Sequence, residues 1–351
     1  MCNVRSSRAF RCFILFANVV TMNLMVSAQA AQYSLGALGF AGTINGVHQP
    51  LGISTGGQVV GYDELTGAGF IWSNGALSWY GNVGSPSQAT AISPNGLYMA
   101  TGSWNGALST YTGDGAFYVS GYTYPGTLSY GVNNYGASVG QTGGQAFYFY
   151  KTSTSPATFK LLGSLGGSSS VAYGITDTNT IVGASGNSAG YTRAFYSFRT
   201  GPPTDFDPND TTYDSAAYAI NKNGIVVGVS NRGRCSVFVP LYRCRGPYFY
   251  PVTFTPSNVT SLGSLGGGAG AALAINSNGD IVGWSQTATG AQHAFLYTNG
   301  HMIDLNTLNI VGGSGWTFTD ADAINDYGEI VGHAISPTGK DEIIVIMPLG
   351  V

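Results

Sequence analysis

The chain alternates short apolar runs with breaks centred on glycine and asparagine. It nowhere sustains a 3.6-residue period, so strands are expected and almost no helix. Residues 271–308 show the pattern. "AALAIN" is an apolar run, and "SNG" is a turn signal in which Gly279 can take positive φ at no steric cost. "DIVGWSQ" is a second, β-rich run, and "TATG" breaks the chain before a third, "AQHAFLYT". "NG" at 299–300 is the strongest two-residue hairpin signal, and "HMIDLNTL" is the fourth run. Four short strands joined by tight turns predict an antiparallel meander.

That text recurs. Its central Ile or Val falls at Ile53, Ile92, Val132, Ile175, Ile220, Ile275 and Ile324, with gaps of 39, 40, 43, 45, 55 and 49 residues. Seven copies of a four-stranded unit predict an all-β fold, a seven-bladed β-propeller of four-stranded antiparallel blades. One meander cannot shield both of its faces, whereas stacking around an axis does. In "AYAI", Ala217 and Ala219 point one way and Tyr218 and Ile220 the other. The glycine of "IVG" (Gly183, Gly228, Gly283, Gly332) weakens a strand and so marks close approach of neighbouring backbone. A β-solenoid is the alternative fold, but it generally uses shorter coils and leaves the chain ends unexplained. The last copy stops after three strands, and "QYSLGALGF" at 32–40 resembles the fourth-strand text "KLLGSLGG" and "TSLGSLGG". The N-terminal strand is therefore expected to close the last blade beside the C-terminal strand, removing open sheet edges. Residues 31–351 then read as one propeller domain.

The first thirty residues carry a different signal. Arg5, Arg8 and Arg11 precede the apolar run "CFILFANVVTMNLMV", and Ala28 and Ala30 follow at small-residue positions. This is the layout of a secretory signal peptide, 1–30, cleaved near Ala30. A membrane anchor is the competing reading, but the run is roughly fifteen residues, short of the ~20 that span a bilayer. The expected product is secreted, extracellular or in the cell envelope, with no transmembrane span. Without its signal the chain holds 10 Lys+Arg against 16 Asp+Glu, a net charge of −6. That balance, with no Lys/Arg run, argues against nucleic acid. Cys235 and Cys244 remain, and in an oxidising compartment they read as a local disulfide, with two free thiols as the alternative.

The repeat is similar to the extracellular HAF-repeat family, named for a His-Ala-Phe triplet. The triplet stands intact at His293-Ala294-Phe295 and varies to Arg193-Ala194-Phe195, Gln145-Ala146-Phe147 and Gly115-Ala116-Phe117. It has decayed further at Ser236-Val237-Phe238. "SLGGSSSVAYGIT" and "SLGGGAGAALAIN" match that family's link between units. The resemblance implies export, mostly in bacteria, and repeat architecture. It implies no particular reaction.

Candidate chemistry is sparse. His48, His293, His301 and His333 form no metal pattern such as H-E-x-x-H, and His293 reads as a polar strand edge. No G-x-S-x-G elbow occurs, and the "LGSLGG" runs lack the lysine of a phosphate loop. Asp205, Asp207, Asn209 and Asp210 superficially resemble the start of a calcium loop. Asp210 stands where glycine is needed, however, and Ala216 where a bidentate Glu is needed. Asp320 and Asp322 lie on one side of a strand, with Asp326 in the turn beyond. No cofactor is expected. The loops joining blades, and those joining second and third strands, share one propeller face. They carry Trp104, Tyr111, Asp114, Tyr191, Tyr213, Asp214, Trp316, Asp320 and Asp341. Rings interspersed with carboxylates suit a sugar or peptide. The leading expectation is a secreted, non-enzymatic protein that binds a polysaccharide or another extracellular polymer or protein, or serves as a matrix component. The alternative is a carbohydrate hydrolase or lyase with carboxylates at the channel.

Overall fold

Every inner strand ends on the repeat's own Ile or Val: His48–Ile53, Ser87–Ile92, Leu128–Val132, Gly166–Ile175, Ser215–Ile220, Gly266–Ile275 and Thr317–Ile324. The computed structural model describes residues 32–38, 48–63, 68–80, 87–103, 107–112, 117–123, 127–150, 158–209, 213–231 and 249–349. The expected signal peptide and the Cys235–Cys244 pair lie outside them. The fold is an all-β propeller. Among the described residues there is no α-helix, only a 3-10 turn at Leu305–Thr307.

Among the described residues, six sheets are four-stranded meanders whose strands follow chain order, over 48–80, 87–123, 128–163, 166–205, 215–261 and 266–304. The remaining sheet departs from the expected four strands. It has five, ordered Ile310–Val311, Tyr33–Ala37, Asp341–Pro348, Ile330–Ile335, Thr317–Ile324. Tyr33–Ala37 runs antiparallel to Asp341–Pro348, with Leu35 opposite Ile346. The extra strand comes from the long link out of the preceding sheet. Ile310–Val311 pairs in parallel with Tyr33 and Ser34 and covers an edge that would otherwise lie open.

The core lies between sheets. Val139, Ala146 and Leu162 of the third sheet pack on Ala172, Ile181 and Phe195 of the fourth. Ile53, Val59 and Phe70 of the first sheet pack on Ala323, Val331 and Ile343 of the five-stranded one. This accounts for the last two letters of the triplet. Ala146, Ala194 and Ala294, and Phe147, Phe195 and Phe295, are all wholly buried. Each such phenylalanine removed from water stabilises the fold by roughly 2–3 kcal/mol.

The asparagine of the repeat has two jobs at once. Asn221, Asn276 and Asn325 each accept from the backbone N–H two and four residues on, which fixes the tight turn between first and second strands. Gly224, Gly279 and Gly328 supply the positive φ that this turn requires, at +80°, +91° and +79°. The same asparagines donate through Nδ2 to the equivalent carbonyl of the next sheet. Asn133 reaches Thr176 O (3.0 Å), Asn221 reaches Asn276 O (2.9 Å), Asn276 reaches Asn325 O (3.2 Å), and Asn325 reaches Ser54 O (2.9 Å). The recurrence of "IN" thus records a turn and a link between sheets in one residue. Asn325→Ala should cost about 1–3 kcal/mol, because buried partners in both sheets lose their bonds together. Chemical denaturation measures it.

The glycine of "IVG" does sit against neighbouring backbone, that of its own inner strand. A Cβ on Gly183, Gly228, Gly283 or Gly332 would overlap the carbonyl oxygen of Val171, Ala216, Ala271 or Asp320. One extra residue then bulges from the inner strand, between Ala172 and Gly174, Ala217 and Ala219, Ala272 and Ala274, and Ala321 and Ala323. The same irregularity occurs in the first three sheets, between Pro50 and Gly52, Ala89 and Ala91, and Ser129 and Gly131.

Candidate functional site

The bulged positions are Leu51, Thr90, Tyr130, Tyr173, Tyr218, Leu273 and Asp322. Inner strands of successive sheets touch one another around the axis, so these side chains gather at the centre. Tyr130 and Tyr173 have ring centroids 5.6 Å apart, and Tyr173 and Tyr218 meet edge to face at 5.4 Å. With Leu273 they pack against a cluster that includes Trp284. Burial, and after it the nearby Tyr62, pushes the Tyr130 phenol well up, so it stays protonated. The bulges of these three neighbouring sheets therefore form an aromatic arc.

The five-stranded sheet supplies a polar sector. His333 is buried, with Nδ1 3.2 Å from Asp341 Oδ1 and Nε2 3.9 Å from Asp322 Oδ2. Asp320 lies directly across the ladder from His333 and accepts from Gln292 Nε2 at 2.8 Å. Burial pulls the imidazole's pKa down. The hydrogen bond to Asp341 and the charges of Asp322, Asp341 and Asp320 outweigh that, and the net shift is upward. A folded-state pKa above the unfolded value of about 6.5 contributes stability that is complete below it and fades as pH rises through the folded value. The difference in Tm between the native protein and His333→Gln should therefore shrink from pH 6 toward pH 9 in thermal scans.

The residues expected to form a ligand face fare unevenly. Trp104 and Asp114 lie outside the described residues. Tyr111 falls on the strand Ala107–Thr112. Tyr191 is half-buried in a turn where its N–H donates to Asn187 Oδ1 (2.9 Å). Tyr213 is buried, with its hydroxyl on Asp207 Oδ2 at 2.7 Å. Burial, then that bond, pushes its phenol up to about 12. Asp214 is buried too, accepting from Thr192 N at 2.8 Å. Trp316 packs half-buried on the core of the last two sheets. Tyr213 and Asp214 thus tie blades together. Of the set, Asp320 and Asp341 are brought together, around His333.

His293 and Arg193, at the head of the triplet, have partners within their own sheets. His293 Nδ1 lies 2.7 Å from Asp304 Oδ2. Arg193 has no exposed surface. Its Nε donates to Asp205 Oδ2 (3.1 Å), Nη1 to Tyr213 O (2.7 Å) and Nη2 to Asp207 O (3.0 Å), and its guanidinium lies 4.0 Å over the Tyr213 ring. Two carboxylates of the calcium-loop resemblance, Asp205 and Asp207, are therefore engaged by Arg193 and Tyr213, and Asn209 is exposed. Asp210 lies outside the described residues.

The bulge tyrosines did not stand out in the sequence as site residues. "VAYGI" and "AYAI" look like ordinary strand text, and a one-residue bulge leaves no mark in a period-2 pattern. The glycine across the ladder was the available signal, since it permits the bulge.

No protein-family model matches the chain, and no curated protein matches it. Among solved structures it is similar to a streptogramin B lyase structure, with a TM-score of 0.53 and 14% identity over 91% of this chain and 98% of that one. It is also similar to a chain of the mitotic checkpoint complex (TM-score 0.49, 11% identity, 99% of this chain and 100% of that one). A third is the Dos1 propeller (TM-score 0.43, 10% identity, 90% and 95%). What the first of these shares with the chain is its fold alone.

Proposed function

We propose that the protein is an exported, non-enzymatic propeller of the HAF-repeat kind that binds a carbohydrate or another extracellular polymer. The observation that carries this reading is an aromatic arc of Tyr130, Tyr173 and Tyr218 at the inner-strand bulges, with Asp322 at the equivalent bulge of the five-stranded sheet beside His333. Rings offer stacking faces, and carboxylates and an imidazole offer edge hydrogen bonds, as small-ligand sites require. Export rests on the Arg5–Ala30 leader, and a Cys235–Cys244 disulfide fits the same compartment. Peptide mapping without reduction tests the bridge.

The five-stranded sheet serves in this reading as the seventh blade, with Tyr33–Ala37 closing it. Its support is the Leu35–Ile346 register, the Asn325–Ser54 bond and the packing of Ala323 and Val331 on Ile53 and Val59. Saturable binding on a glycan array is the expected result. Loss of binding on Trp104→Ala with Trp316→Ala would place the ligand on the loop face. Turnover of any glycan would instead favour a hydrolase or lyase using Asp320 and Asp322, two of the three carboxylates around His333.

A further inference from the structure

The turns between first and second strands are joined to one another by hydrogen bonds in an unbroken run. Asn221 reaches the turn of the sixth sheet, Asn276 that of the five-stranded sheet, and Asn325 that of the first. From there Thr55 N donates to Pro94 O (2.8 Å), Asn95 N to Asn134 Oδ1 (2.8 Å) and Asn134 N to Asp177 Oδ1 (2.9 Å). Third strands end on the same side, because neighbouring strands are antiparallel. Arg199 N, just past one such end, donates to Asn179 O in the turn beside it. This side carries six of the ten large hydrophobic residues exposed among the described residues. Leu97, Tyr135, Ile225 and Tyr327 lie in the turns, and Phe198 and Leu349 at the ends of third strands. Tyr135 and Tyr327 hold the same turn position, each N–H 3.0 Å from the Oδ1 of Asn133 or Asn325, and are 62% and 71% exposed.

The spacing and the charges select the partner. At that turn position the other sheets carry Gly56, Asn95, Thr178, Asn223 and Asn278, so the apolar groups are scattered tips. A protein partner needs a contiguous dry core. A bilayer takes up tips one at a time, and tyrosine suits its headgroup level. The carboxylates of these turns are half-buried and tied inward: Asp177 to Asn134, Asp280 to Thr298, Asp326 to Ser277 and Glu329 to Asn325. Lys222 and Arg199 are exposed among them, and such cations favour anionic lipid. We propose that this side of the fold docks on an anionic lipid bilayer, with Tyr135, Tyr327, Leu97 and Ile225 entering the headgroup region. Trp316 precedes a first strand and so lies at the opposite end, which makes this docking independent of the carbohydrate reading.

Vesicle flotation of the exported protein tests it, with phosphatidylglycerol–phosphatidylcholine vesicles against phosphatidylcholine alone. The protein should float with the anionic vesicles and bind them roughly tenfold more tightly than the neutral ones. Tyr135→Ser with Tyr327→Ser should weaken that binding at least about tenfold, with Tm unchanged because both rings are exposed. Tyr250→Ser, an exposed tyrosine at the start of a third strand and hence at the other end, should bind as the native protein does. All three proteins share one N-terminus, so the comparison reads the turns. No flotation, equal binding to both vesicles, or undiminished binding by the double variant overturns the proposal. So does a native dimer in light scattering that the double variant dissolves, since a second copy would then cover this side.

Discussion

Replacing Arg193 with Met should destabilise the protein by about 3–5 kcal/mol, the loss expected when one member of a buried ion pair is removed. In a thermal scan that is a fall in Tm of roughly 10 °C. The guanidinium is fully buried and spans two strands and a link, holding Asp205, Asp207 O and Tyr213 O at once. Met fills much of the volume but satisfies none of those acceptors, and Asp205 is left largely buried without its counter-charge. His293→Gln should cost far less, because His293 and Asp304 are both partly exposed and water can replace the lost bond. Arg193→Met with Asp205→Leu should recover part of the loss, since the charge and its partner then leave together.

Gly283→Val should be comparably severe, above about 3 kcal/mol. The Cβ overlaps the carbonyl oxygen of Ala271, which is backbone held in the ladder and cannot swing aside. Relief requires undoing the bulge that presents Leu273. Gly186→Ala is the matched control: its Cβ would meet Gly167 at 3.5 Å, an ordinary contact, and no positive φ is involved. It should be neutral or stabilising by up to about 1 kcal/mol, through reduced freedom of the unfolded chain. Urea unfolding of both variants separates the two cases.

Much of the fold was legible because the repeat text encodes it locally. "IN" fixes a turn and a link, "IVG" fixes a bulge, and Asn299–Gly300 takes the two positive φ values, +51° and +81°, that a tight hairpin demands. The four-strand count failed for the last sheet because Ile310–Val311 is an edge strand two residues long, inside a link that differs from its counterparts. The site was less legible. Tyr213 and Asp214 look like loop groups in sequence, yet Arg193, twenty residues upstream of Tyr213, buries one and Thr192 the other. Which residue a charge meets depends on the register of neighbouring sheets. So does the gathering of Tyr130, Tyr173 and Tyr218, drawn from three copies of the repeat.

Amide hydrogen exchange of the strand Tyr33–Ala37 tests the central claim, that the repeat closes on itself through the chain's own ends. The account predicts that its amides are protected to the same limit as those of Ile330–Ile335 and Asp341–Pro348, and open together with them. Exchange at the rate of a free chain, with the other strands still protected, would contradict it.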